Sequence, residues 1–149
     1  MEMTEILNKN LMKTNMNAKS KDEVLHELAE LLLANGNITD IEGFIKDIYA
    51  REAEGQTGIG NYVAIPHGKS AFVKDVGVAI GINNEEIPWE TLDGKGVKGI
   101  ILFAVGDDVE AAKDHLKLLA MFARKLGNDE VVANLLQAKD QNAIVTAFV

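Results

Sequence analysis

"VKGIILFAV", residues 97–105, carries a single charge and is otherwise apolar side chains and one glycine, with Val and Ile at four of its nine positions. It reads as a buried strand. Working outward, Val76 to Ile82 has Val, Ile and Gly at strand-like intervals, and Val63-Ala64-Ile65 is a short apolar run. Between the last two long runs lies "EEIPWETLDGKG", residues 85–96, where Pro88, Asp93-Gly94 and Gly96 mark turns around an extended piece. Three or four strands are implied.

Helical patterns stand on both sides of this block. Ser20 and Glu23 have capping-box spacing, and Val24, Leu25, Leu28, Leu31 and Leu32 share one face until Asn35-Gly36. Thr39 and Glu42 repeat the capping signature ahead of Ile41, Phe44, Ile45 and Ile48, predicting a helix to about Glu54-Gly55 that delivers Arg51 near its carboxyl end. After the strands, Asp107 or Asp108 can cap a helix in which Ala112, His115, Leu119, Phe122 and Leu126 form an apolar seam closed by Gly127. Asn128 and Asp140 are expected to cap two more helices, to about Leu136 and Phe148. Met3 to Leu11 reads as a strand or a loosely docked arm. The pattern predicts an α/β fold: one domain over 1–149, a mixed β-sheet flanked by helices on both faces.

The 149 residues are 47% hydrophobic and 26% charged, with an aliphatic core and no sign of disorder. No cysteine is present, which excludes disulfides, zinc ribbons and thiol catalysis. The formal charge of −8 gives no footprint for nucleic acid and would be repelled by anionic lipid. The stretch Met1 to Asn10 has no signal core, and no run is long enough to span a bilayer. No membrane insertion is expected, and a cytoplasmic location is the default.

Several site motifs fail. "HGKS" ends like a phosphate-binding loop, yet the first glycine of that loop would fall at Val63; "GIGNYV" fails as a dinucleotide fingerprint at the same residue. The three histidines have no metal-binding spacing, and no serine sits in a nucleophile elbow. His26 lies off the apolar stripe of its helix and reads as solvated. His115 lies within its seam, so a core role and a site role both stay open. At His67, Pro66 cannot donate to a ladder and Gly68 permits unusual conformations, so the strand is expected to end there with the imidazole projecting beyond it. That makes His67 a candidate nucleophile or base, with packing as the rival reading.

"REAEGQTGIGNYVAIPHGKS", residues 51–70, resembles the active-site signature of type-2 enzyme IIA domains of the bacterial phosphoenolpyruvate-dependent sugar phosphotransferase system, the fructose and mannitol family. "HLKLLAMFARKL", 115–126, is similar to the family's second histidine segment, and "IPWETLDGKGV", 87–97, to a segment of its fructose branch. The likeness runs from about Thr4 to Phe148. One departure is Tyr62, where members often carry a glycine.

The resemblance implies that His67 accepts a phosphoryl group from the phosphocarrier protein HPr and passes it to a cysteine of enzyme IIB, with His115 as second active-site histidine and Arg51 as active-site arginine. It favours Nε2 as the phosphorylated nitrogen. It also implies a mixed sheet between helical layers, with enzyme IIB and the membrane enzyme IIC on other chains. Chemically, Arg51 would disfavour imidazolium at His67, and Arg51, His115 and the turn amides of Thr57 to Gly60 could stabilise the transferring group, with the Thr57 hydroxyl as a further donor. Transfer from phosphohistidine needs no cofactor, nucleotide or metal. Phe72, Ile59 and Met121-Phe122 are candidate docking residues, with core burial the rival for Phe122. Two alternatives stand beside the carrier: a regulatory, nitrogen-type enzyme IIA phosphoprotein, and a non-catalytic anion-transporter-like domain.

Overall fold

The computed structural model describes residues 2–149; Met1, the first residue of the stretch read as lacking a signal core, lies outside them. The elements run α1 (Met3–Ile6), a 3₁₀ turn (Lys9–Leu11), β1 (Met12–Met16), α2 (Lys21–Ala34), α3 (Ile41–Glu52), β2 (Gly58–Gly60), β3 (Val63–Ala64), β4 (His67–Lys69), β5 (Gly77–Ile87), β6 (Val97–Val105), α4 (Val109–Leu126), α5 (Asp129–Leu136) and α6 (Gln141–Phe148).

One mixed six-stranded sheet has the order β1-β5-β6-β3-β2, with β4 also paired to β6. β6 is the centre, antiparallel to β5 and parallel to both β3 and β4. Its alternate residues divide the core. Ile100, Leu102 and Ala104 face α2 and α3 through Leu25, Leu28, Phe44 and Ile48. Ile101, Phe103 and Val105 face the opposite layer through Leu118, Phe122, Leu135 and Phe148. A strand covered on both faces has no polar side to show, which is why 97–105 is almost wholly apolar. The predicted fold class is the one found.

The caps explain where the helices begin. Ser20 Oγ accepts from Glu23 N at 3.1 Å, Asp108 Oδ1 from Ala111 N at 2.7 Å, Asn128 Oδ1 from Glu130 N at 2.9 Å and Asp140 Oδ1 from Ala143 N at 2.8 Å. α3 departs from expectation. Its N-cap is Asp40, because Thr39 is drawn into a bond from its N–H to Phe72 O, 2.9 Å.

Two further expectations are corrected. Met3 to Leu11 is neither strand nor loose arm: it forms α1 and the 3₁₀ turn, with Leu11 buried, and the first strand follows at Met12–Met16. That strand hid from pattern reading because it is five residues long and interrupted at Asn15, whose φ of 54° goes with a register shift against β5. Nor does the chain leave the sheet at Pro66. The proline lacks a donor but its carbonyl accepts from Phe103 N at 3.0 Å, and β4 follows it as an edge strand paired with β6 alone.

Candidate functional site

β4 places His67 opposite Phe103 of β6, and the two rings stack at 5.7 Å with planes 8° apart. Side chains alternate along a strand, so His67 and Lys69 share the α4 face while Gly68 turns to α3. A Cβ at residue 68 would run into the Phe44 ring and come within 2.9 Å of Phe103 O, so glycine is what lets α3 close on the strand. The Ser70 hydroxyl then donates to Asp47 Oδ2 of α3 at 2.5 Å. Strand and helix are thereby pinned at both ends of their contact.

Across from His67, α4 supplies His115. The ring centroids are 4.8 Å apart and nearly perpendicular, at 85°. Nε2 of each imidazole is shut off from solvent and has no hydrogen-bond partner among the described residues. Buried polar atoms are nearly always paired, so two orphans side by side mark a place built for something other than stability. In the tautomer with the proton on Nδ1, an unbonded Nε2 keeps its lone pair free.

His67 is 6% exposed, and its pKa is lowered to about 4, first by burial, then by His115 and then by Arg51. His115 is lowered too, by burial and by the charges of Lys69 and Arg51. Both rings are therefore neutral at pH 7. Arg51 has the expected direction of effect, but it is the smallest of the three causes at His67.

Arg51 sits in the last turn of α3, where its Nη1 donates to Gly55 O at 2.8 Å. α3 covers the face of the sheet opposite to α4, so Arg51 influences both imidazoles around the free edge of β4. Thr57 is buried, and its hydroxyl donates to Glu52 Oε1. In this geometry its one proton is directed to a carboxylate. The structure brings His67, His115 and Arg51 to one place; it leaves His26 apart, bonded to Glu42 Oε1 at 2.7 Å and Asp22 O at 2.9 Å.

Among the expected docking residues, Phe72 is exposed, Ile59 and Met121 are half-buried and Phe122 belongs to the core. Sequence reading missed Val109 and Leu116, two turns apart on α4 and 76% and 69% exposed. They stand off the seam, and exposed apolar residues give no periodic signal. Lys69 and Glu52 were also missed; strand alternation from His67 would have found the first, and adjacency to Arg51 the second. Among the described residues, no group of three or more His, Asp or Glu is arranged to hold a metal ion, and no helix is long and apolar enough to cross a membrane.

Residues 5–148 match the family model for the phosphoenolpyruvate-dependent sugar phosphotransferase system, EIIA 2. The chain belongs to that family, the type-2 EIIA domains of the fructose and mannitol kind. It is 32% identical over 149 residues to the 2-O-α-mannosyl-D-glycerate-specific EIIABC component of Escherichia coli, covering 99% of this chain and 22% of that protein's length. It is 35% identical over 123 residues to a fructose-like EIIA component of the same organism, covering 83% of this chain and 82% of the relative. Among solved structures it is similar to the nitrogen regulatory protein IIA-Ntr of Neisseria meningitidis, with a TM-score of 0.87, 27% identity and 97% of each chain covered.

Proposed function

We propose that this EIIA domain is a phosphocarrier: His67 accepts a phosphoryl group from the phosphohistidine of HPr and donates it to a cysteine of enzyme IIB. The observation that carries the reading is the pair of buried, unpartnered imidazoles 4.8 Å apart. In the first half-reaction the free electron pair of a His67 ring nitrogen forms a bond to phosphorus, and the bond from phosphorus to the HPr imidazole breaks, its electron pair returning to that ring. In the second, a cysteine thiolate forms the new bond to phosphorus and His67 regains its lone pair. No net proton or cofactor enters either step.

His67 needs no general base, because burial already keeps it unprotonated. The family resemblance favours Nε2 as the nucleophile. Arg51 and His115 flank the group and stabilise its equatorial oxygens, work that is mostly positioning and charge. Val109, Leu116 and Phe72 supply apolar contact for partners that must leave again, and the surface charge of −8 suits basic ones.

A second reading, regulation of a protein partner by phosphorylation state, is favoured by 27% identity over 146 residues to the nitrogen regulatory protein of Escherichia coli and by the likeness to the IIA-Ntr structure. The sugar-component relatives are more similar, so transport leads. Intact-mass spectrometry after incubation with phosphoenolpyruvate, enzyme I and HPr tests the carrier. One acid-labile phosphate is expected on the wild type and none on His67→Ala. Labelling of both, or of neither with active carriers, rejects the assignment. Pull-downs in both phosphorylation states then separate transport from regulation.

A further inference from the structure

Glu52 ends α3 with a side chain only 6% exposed, and Lys21 opens α2 with one 15% exposed. Each charge stands at the wrong end of its own helix: a carboxylate at a carboxyl terminus, an ammonium at an amino terminus. Burial disfavours both further unless they are paired. They pair with each other, Lys21 Nζ to Glu52 Oε2 at 3.0 Å. Local preference did not put them there, so the cluster they build is the place to look for a reason.

That cluster surrounds the turn leading to His67. Glu52 Oε1 accepts the Thr57 hydroxyl, and Thr57 O accepts from Ile65 N at 3.0 Å, two residues before His67. Lys21 Nζ also reaches Glu90 Oε2 at 2.9 Å and lies 4.8 Å from the Trp89 ring. The segment it holds presses on the far side of the same turn: Leu92 N donates to Gly58 O at 3.2 Å, and a Cβ on Gly58 would lie 2.5 Å from Glu90 O. Glu52 is also the neighbour of Arg51 in the last turn of α3.

We propose that Glu52, held by Lys21, is a positioning residue for phosphoryl transfer: through Thr57 it sets the turn before His67 and, through the end of α3, the aim of Arg51. This rests on the carrier reading of His67. Glu52 touches no reacting atom. It acts by keeping an arginine from one face of the sheet in register with a histidine on its edge, where small displacements are costly in rate.

The test is rapid-quench transfer from phospho-HPr together with NMR titration of the His67 ring, on Thr57→Val, Glu52→Ala, Glu52→Gln and the Thr57→Val/Glu52→Ala double variant. Thr57→Val and Glu52→Ala are each expected to slow transfer about 10- to 100-fold, in the manner of a misplaced group. The double variant should be no more than about threefold slower than the worse single, since both break one link. Glu52→Gln should fall between Glu52→Ala and wild type, because its amide oxygen still accepts from Thr57 while its NH2 cannot accept from Lys21. Thr57→Val changes no charge, so a His67 pKa raised in it reports a displaced turn, through the ring's burial or through Arg51. Wild-type rates and an unmoved His67 pKa in Thr57→Val, even with a lowered melting temperature, overturn the proposal, and that variant decides alone if Glu52→Ala does not fold. If the wild type takes no phosphate, the carrier reading fails instead, and the titration still judges the positioning.

Discussion

A histidine ring enclosed by Phe103, His115 and the sheet loses the water that would stabilise its charged form. NMR titration of His67 should therefore give a pKa below 5. A value near 6.5 would mean the ring is solvated. Because Arg51 ranks behind burial and His115 as a cause, Arg51→Ala should raise that pKa only modestly while slowing transfer by at least about tenfold, the usual cost of a lost transition-state contact. Arg51, His67 and His115 were singled out by the resemblance, since their local sequence alone left packing open for both histidines. Burial as the chief cause of neutrality was not legible, since the side chains that exclude water come from β6 and α4, thirty-six and more residues away.

β4 shows what three residues can do when the helix above them fits. Gly68→Ala would push the Phe44 ring off the strand, and urea denaturation should show a loss of about 1–3 kcal/mol, the range for an overpacked contact. The turn between β2 and β3 has the opposite character: Asn61 and Tyr62 sit at φ 54° and 66°, as a two-residue hairpin loop of left-handed type demands. Tyr62 tolerates this under Lys95 and Lys98, whose ammonium groups each lie 5.5 Å from its ring. Tyr62→Gly should be more stable than Tyr62→Ala by about 1 kcal/mol, since only the alanine pays the left-handed penalty. Equal stabilities would mean the turn relaxes. The long periodic helices were readable from sequence, capped almost where expected. β1 and β4 were not, because a five-residue strand with a bulge and a strand resuming after proline have no period to read.

Across the molecule, one sheet holds two helical layers apart and the histidines titrate against its stability. Between pH 6.5 and about 4 the unfolded chain binds a proton at His67 that the folded chain does not, so stability rises with pH through this window and falls on acidification. From pH 7 to pH 5 the group should cost roughly 2 kcal/mol. His115 acts in the same direction; His26, raised by its bonds to Asp22 and Glu42, acts against both. Chemical denaturation at the two pH values should show the loss in the wild type and a flatter profile in His67→Gln. An equally steep profile in the variant would assign the acid sensitivity elsewhere. The layered architecture was legible because 97–105 has no polar face. That the site straddles the edge, with His115 and Arg51 arriving from opposite layers, follows only from strand order, which no local pattern encodes.

The free side of β4 has a kinetic consequence. For a carrier of the proposed kind, donor and acceptor must both reach the one ring on that edge strand. The two proteins then exclude each other. Steady-state turnover should follow a double-displacement law, with parallel reciprocal plots and each partner a competitive inhibitor at high concentration, and no complex of all three chains should form at any ratio.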